Sequence, residues 1–364
     1  MNRIFASPSK YIQGPNALTT GIPYIKAIGK HALLICDEFV WHIIGEAFLK
    51  QLAQSGIEAN AIFFKGEASR EEILRMSLNS KDQHHDVVIG LGGGKTIDAA
   101  KAVGNDLNLP VVIIPTTAST DAPTSAISVI YTADGYFEKY ILYDKNPELV
   151  LMDTQIIANA PAHFLASGIA DALATWIEAR SVLEGNGTNL YGGLPTLSAL
   201  AIAKECEKIL FKYGIAAFKD NQEHQVTPAL EAVVEANTLL SGIGFESGGL
   251  AAAHAIHNGF SALYGQSQLL SHGEKVAYGT LTQLFLENKP KTMINPFITF
   301  YQALGLPTTL AELKTPNISY EDLLKVGKLA TQESETIHQM AANYSAEDVT
   351  NALFAVDAYV KSLK

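Results

Sequence analysis

Short, wholly apolar runs recur through the first 115 residues, and most are followed by a stretch with helical periodicity. Ala32-Leu33-Leu34-Ile35-Cys36 is the first such run. A strand with no polar alternation is one covered on both faces. Residues 40–54 then place Ile43, Ile44, Phe48, Leu49 and Leu52 on one helical stripe that Gly56 ends. Ala61-Ile62-Phe63-Phe64 precedes a polar helix over 69–80. Val87-Val88-Ile89 runs into Gly90-Leu91-Gly92-Gly93-Gly94-Lys95-Thr96-Ile97-Asp98, with a helix over about 96–104, and Val111-Val112-Ile113-Ile114 stops at Pro115. Strands alternating with helices at this pitch predict βαβ units and a parallel sheet. Alternating residues over 127–132 and 136–143, around Asp134-Gly135, predict a hairpin appended to that sheet.

After Pro161 the periodicity changes. Leu165, Ile169, Ala172, Leu173, Trp176 and Ile177 form one helical stripe, and Ala199, Ile202, Ala203, Cys206, Ile209 and Leu210 form another. The stretch 228–242 is also helical in pattern, and Ala346 to Lys364 reads as an amphipathic helix. The fold class expected is therefore α/β plus all-α, with a parallel-sheet domain over residues 1–160 and a helical domain over 161–364.

Composition narrows the function. At 364 residues the chain is long enough for about two domains. Its net charge of −11 repels phosphate backbones, so nucleic acid and anionic membranes are not expected partners. No stretch approaches the ~20 apolar residues of a membrane span, and the N-terminus lacks a signal-peptide pattern. Cys36 and Cys206 have no metal-ligand spacing and read as buried thiols. A reducing, cytoplasmic setting is expected. Charged residues are only 17% of the chain, which favours a surface partly hidden in an oligomer.

The glycine loop lies between a buried strand and a helix, where bare N–H groups and the helix dipole face an anion. It is not a Walker A loop, because Ile89 stands five residues before Gly94, and the G-x-G-x-x-G spacing fails at Lys95. Gly92, Gly93, Gly94 and Lys95 nevertheless suit a pyrophosphate, and a ligand-free turn is the plainer alternative. Asp37 follows the first strand. There a carboxylate accepts ribose hydroxyls and repels a 2′-phosphate, favouring NAD over NADP; equally, it serves as a helix N-cap. Thr116-Thr117-Ala118-Ser119-Thr120-Asp121 follows the fourth strand and would line the same crevice, or be ordinary turn chemistry.

Three residues of the helical half stand out. Asp171 lies in an otherwise apolar helix, and His254 and His257 share a face of the small-residue segment Gly248–Gly259. His272 sits at a helix start in Ser271-His272-Gly273-Glu274-Lys275-Val276-Ala277-Tyr278-Gly279. Buried polar groups need partners, and one carboxylate with two imidazoles is a zinc or iron set with an open position. Each residue alone also has a structural explanation, as a salt-bridge partner or a hydrogen-bonded core histidine.

Together, Gly92-Gly93-Gly94-Lys95-Thr96-Ile97-Asp98, Pro115-Thr116-Thr117-Ala118-Ser119-Thr120-Asp121, His272–Gly279 and Tyr11-Ile12-Gln13-Gly14-Pro15-Asn16-Ala17-Leu18 resemble the iron-containing alcohol dehydrogenase family, nearest its bacterial glycerol dehydrogenases. The resemblance covers essentially the whole chain. It implies a Rossmann-like N-terminal domain and a helical C-terminal domain of dehydroquinate synthase type, with the active site in the cleft between them. It implies zinc at Asp171, His254 and His272, and NAD at Asp37, Gly92, Gly93, Gly94, Lys95, Thr96, Asp98, Thr116, Thr117, Ser119, Ser125, Ile127 and Tyr131. Asp121 matches the residue that contacts glycerol. Family members with a fourth metal ligand place a histidine after the aspartate; here Thr175 stands one turn on, which favours the three-ligand zinc type. Ile127 stands where leucine is expected and would touch the cofactor through its backbone.

The reaction implied is oxidation of glycerol, or a related vicinal diol, to dihydroxyacetone by hydride transfer from a metal-bound alkoxide to NAD. Asp121 would orient a hydroxyl, and His257 would act beside the metal or relay a proton. The resemblance also implies a homo-oligomer, an octamer. Two alternatives stay open: a superfamily enzyme acting on a phosphorylated polyol, and a dinucleotide-binding sensor without chemistry.

Overall fold

A computed structural model describes residues 1–263, 265 and 269–363. The chain groups into two compact units. One comprises Ser7–Pro161 and Asp220–Leu239; the other comprises Met1–Ala6, Ala162–Lys219 and Leu240–Lys364. Residues 220–239, read from the sequence with the helical half, thus pack with the sheet.

The sheet unit holds six parallel strands in the order β1-β8-β5-β4-β2-β3. Their ranges are β1 (Tyr11–Gly14), β2 (His31–Cys36), β3 (Glu58–Phe63), β4 (Val87–Gly92), β5 (Val111–Pro115) and β8 (Leu149–Asp153). Alternate residues serve two cores. Leu34, Ile89, Val112 and Leu151 join one with Phe48 and Leu52, while Leu33, Val88, Ile113 and Val150 join the other with Ala99 and Val103. Coverage on both faces is why these strands read as continuous apolar runs. The edge strand β3 starts earlier than its apolar run because its polar first half is partly exposed.

Three features of the sheet unit differ from the sequence reading. β1 and β8 were not foreseen as strands, although Leu149-Val150-Leu151-Met152 is the same kind of run as the others; β8 lies between β1 and β5 and is buried throughout. The hairpin forms as β6 (Ile127–Tyr131) and β7 (Phe137–Leu142), but as a separate antiparallel sheet. β5 is already flanked by β4 and β8, so no free edge adjoins it. Third, residues 40–54 are not one regular helix. A π-turn, Trp41–Gly45, precedes helix Glu46–Gln54; its wider turn changes the helical phase and leaves Ile43 59% exposed while Phe48 and Leu52 are buried.

The helical unit is built from helices including Ala162–Glu184, Ser241–Gly248, Ala252–Gly259, His272–Leu286, Tyr320–Ala330 and Ala346–Ser362. The expected continuous helix over 228–242 is Pro228–Glu235, a π-turn, and Ser241–Gly248. The last residue of the expected C-terminal helix, Lys364, lies outside the described residues. Cys36 and Cys206 are buried and form no disulfide. Among the described residues, no helix is long and apolar enough to cross a membrane.

The end of β8 is held by Asp153. Its buried carboxylate accepts from the backbone N–H groups of Asn16 (3.2 Å), Leu18 (3.0 Å) and Gln155 (3.0 Å), tying the starts of two helices to the sheet. Asp153→Ala strands these donors and is expected to cost about 2–3 kcal/mol. Urea unfolding of both proteins checks this, and an unchanged midpoint contradicts it.

Candidate metal centre and dinucleotide loops

Asp171 sits on Ala162–Glu184, His254 on Ala252–Gly259, and His272 is the first residue of His272–Leu286. Their ligand atoms all lie within 4.8 Å of one another, and theirs is the only such group among the described residues. Asp171 Oδ1 is 3.0 Å from His272 Nε2 and 3.3 Å from His254 Nε2. A capping box fixes the entry of His272: Ser271 Oγ accepts from the Glu274 N–H, and Glu274 Oε2 accepts from the Ser271 N–H.

Two glycines bring these helices together. A Cβ on Gly273 would stand 1.9 Å from the Ser167 carbonyl oxygen, one turn before Asp171. A Cβ on Gly279 would stand 2.5 Å from the Ala253 carbonyl oxygen, next to His254. Helix His272–Leu286 thus touches both partners backbone to backbone.

Sequence reasoning missed Glu178. It lies two turns after Asp171 and is wholly buried. Its Oε2 is 2.6 Å from His254 Nδ1, and its Oε1 accepts from the N–H groups of Ala251 (2.8 Å) and His254 (3.0 Å). With Nδ1 donating to Glu178, the Nε2 lone pair is left for a metal, an arrangement typical of ligating histidines. A second carboxylate in the apolar helix carrying Asp171 was the available signal.

Electrostatics follow the geometry. Burial acts to raise the Asp171 carboxyl, but the His272 and His254 imidazoles outweigh it and hold the group low. Burial acts to lower His254, while Glu178 and Asp171 overcome it and raise the imidazole. His257 is pushed down by burial and then by His272, Lys275 and His254. It is a neighbour of the set rather than a member: its ring centroid is 4.1 Å from that of His272, and its Nδ1 is 3.2 Å from Asn258 Oδ1. Asn258 Nδ2 donates onward to Glu335 at 3.1 Å. Thr175 is directed at Ser241, with the hydroxyls 2.8 Å apart.

In the sheet unit, the glycine loop divides its labour. A Cβ on Gly92 would crowd Thr96 at 2.8 Å, so Gly92 serves packing. Gly93 and Gly94 have room, with Thr117 Oγ1 and Thr120 Oγ1 at 4.0 and 3.6 Å from an added Cβ, which sets the loop opposite residues 117–120. Helix Gly94–Leu107 receives no side-chain cap at its N-terminus. Thr117 and Ser119 hydroxyls lie 3.0 Å apart, and Asp121, nearly buried, heads the short turn Ala122–Thr124. Thr116 is half-buried, and its N–H donates to the Gly92 carbonyl at 3.0 Å.

Several expected contacts have other partners. Asp37 caps the next helix, with Oδ1 accepting from the Val40 N–H at 2.9 Å. Lys95 pairs with Glu67 at 2.5 Å. Thr96 and Asp98 are buried, and Asp98 Oδ2 accepts from the Val129 N–H at 3.1 Å. Ser125 is buried and donates to the Ala122 carbonyl. The carbonyl of Ile127, expected to meet a cofactor through its backbone, accepts from Lys101 Nζ. The Tyr131 N–H donates to the Ala68 carbonyl at 3.1 Å, and burial raises its phenol.

The sequence profile described as iron-containing alcohol dehydrogenase matches residues 8–154. The glycerol dehydrogenase of Thermotoga maritima is 48% identical over 358 residues, covering 98% of this chain and 97% of that one. The chain belongs to the iron-containing alcohol dehydrogenase family. A crystal structure of glycerol dehydrogenase from Schizosaccharomyces pombe, 45% identical, superposes with a TM-score of 0.96 and covers 99% of this chain and 92% of that one. The Halobacterium salinarum glycolaldehyde reductase is 44% identical over 357 residues, covering 98% of both chains. NAD and a metal ion are the cofactors expected in this family, and Asp171, His254 and His272 have the donor chemistry for the metal.

Gly273→Ala forces helix His272–Leu286 away from Ser167 and carries His272 with it. It should cost about 1–3 kcal/mol of stability and weaken divalent-metal binding about tenfold or more. Denaturation and metal titration measure the two effects; unchanged metal affinity in a folded variant contradicts the role given to this contact.

Proposed function

We propose that this chain is an NAD-dependent and zinc-dependent glycerol dehydrogenase that oxidises the C2 hydroxyl of glycerol to give dihydroxyacetone, NADH and a proton, and accepts related vicinal diols. The convergence of Asp171, His254 and His272 carries this reading. The T. maritima and S. pombe relatives support the choice of substrate. Zinc is favoured over iron because Thr175, where a fourth imidazole would stand, points to Ser241 instead.

A divalent ion held by these three residues supplies Lewis-acid chemistry that lowers the pKa of a hydroxyl presented to it. The protein's groups do the rest. Asp171 brings anionic charge, and Glu178 keeps the His254 Nε2 lone pair aimed at the site. Asp121 accepts a hydrogen bond from a glycerol hydroxyl and orients the C–H that leaves as hydride. His257 donates from Nδ1 to Asn258, so its Nε2 receives the hydroxyl proton and passes it to water. For NAD, the N–H groups from Gly93 to Thr96 face the pyrophosphate, and Lys95 exchanges Glu67 for it. Asp37 Oδ2 accepts a ribose hydroxyl while Oδ1 keeps the helix cap. Thr116, Thr117, Ser119, Ser125, Ile127 and Tyr131 frame the nicotinamide.

A phosphorylated substrate fits less well. Of the segments carrying the triad, 165–178, 248–260 and 271–279, only the last contains a cation, Lys275. A sensor without chemistry leaves the convergence of Asp171, His254 and His272 unexplained. A second reading, reduction of a small hydroxyaldehyde, is favoured by the H. salinarum relative and is tested in the same assay with NADH and glycolaldehyde.

Steady-state rates with NAD and a diol panel, before and after chelation and zinc restoration, test the proposal. Asp171→Ala and His254→Ala should lower turnover by three orders of magnitude or more while NAD affinity stays within about twofold. Near-normal turnover by a folded, metal-depleted variant would sink the mechanism. Asp37→Ser retains a good N-cap, so its effect reports on ribose recognition: preference for NAD over NADP should fall about tenfold or more. Unchanged selectivity removes Asp37 from the cofactor site.

A further inference from the structure

Lys101 is a lysine with only 3% exposure, on the second turn of the helix that begins at the glycine loop. A buried ammonium requires acceptors for its three protons. Its Nζ lies 2.9 Å from the Ala122 carbonyl and 3.4 Å from that of Ser125, bonds the Ile127 carbonyl, and is 3.1 Å from Asp98 Oδ1. Asp98 completes the arrangement. Its Oδ2 accepts from the Val129 N–H, and its own carbonyl accepts from Ser128 Oγ at 2.8 Å. Backbone groups of four residues between 122 and 129 are thereby fixed by two side chains one turn apart on one helix, and the Ser128 hydroxyl by the backbone of the same helix.

Before β6 begins this segment forms only the short turn Ala122–Thr124, so donors outside regular pairing serve its carbonyls: the Ser125 hydroxyl shares that of Ala122 with Lys101, and the Tyr143 N–H bonds that of Ala126. Asn146 Nδ2 adds a bond to the Thr124 carbonyl, and Asn237 Nδ2 one to that of Ala118. The glycine loop thus opens a helix whose own side chains bond the polar segment that follows β5.

We infer that Lys101 and Asp98 are positioning residues for the dinucleotide, holding segment 122–129 in register with the glycine loop while neither touches the cofactor. The inference rests on the proposed reading that these two elements bind NAD. It reassigns Asp98, whose carboxylate pairs with Lys101 and accepts from the Val129 N–H, from contacting the cofactor to supporting the segment that does.

The test uses the full-length zinc-loaded protein. Lys101→Met alone leaves Asp98 buried and uncompensated, and this can prevent folding. The double variant Asp98→Asn with Lys101→Met keeps the shape without either charge and lacks the ammonium donors. Equilibrium titration with NAD should show Kd raised about 10- to 100-fold, KM for NAD raised in step, and kcat at saturating NAD changed much less. Backbone hydrogen exchange should quicken over 122–131 and stay unaltered in the helices bearing Asp171, His254 and His272, and zinc affinity should be unchanged. A folded double variant that binds NAD as tightly as the parent, with normal exchange in the segment, overturns the inference. Parent protein that fails to bind NAD defeats the underlying reading instead, so the two failures are distinguishable.

Discussion

A carboxylate buried in an apolar helix must be answered by opposite charge or hydrogen bonds, and Asp171 imposes that demand on everything around it. Its answer comes from two imidazoles on two other helices, and each must come within about 3 Å of the same oxygen. That distance is reachable only because His272–Leu286 meets its partners at Gly273 and Gly279, where a methyl group would collide with backbone oxygen. Chemistry and packing are one constraint here. The ligand set exists because the helix backbones touch, and the backbones touch where there is no side chain.

The sheet unit solves a different problem with similar economy. The proposed dinucleotide site relies on bare N–H groups, so on that reading the glycine loop has little with which to anchor its neighbours. The anchoring falls to residues further along the same helix, where Lys101 and Asp98 are already buried. Gly92 and Gly90 contribute by letting the helix lie close on its own strand. The surfaces offered to a ligand and the groups that stiffen them are thus separated by only two helical turns.

Much of this was legible in the residues. Apolar runs gave β2, β4 and β5 because strands covered on both faces carry no polar alternation. Asp171 and His254 drew notice because each is polar in an apolar setting, and His272 because it stands at a helix start; their ligand atoms do converge. What stayed hidden depends on partners distant in sequence. Glu178 offered only the signal of a second carboxylate in an apolar helix, and its partners appear when the N-terminus of helix Ala252–Gly259 arrives against it. Lys101 resembles any helical lysine until the carbonyls of Ala122, Ser125 and Ile127 surround it. Ile43 misled because a π-turn breaks the 3.6-residue count on which the stripe was drawn. The separate hairpin followed from strand order, which no local pattern encodes.

Residues 220–239 return to the sheet after the chain has left it, and they bring hydrogen bonds that the first 161 residues need. Gln13 donates to Glu231, Thr154 bonds the same carboxylate, the Tyr11 hydroxyl meets that of Thr238, and Asn221 donates to the carbonyls of Ile157, Ala158 and Ala160. The nucleotide-type half is therefore not a detachable cassette. An exchange of domains between relatives by one crossover near residue 161 would pair each sheet with a foreign clasp. Only a transplant that carries both stretches together preserves the match.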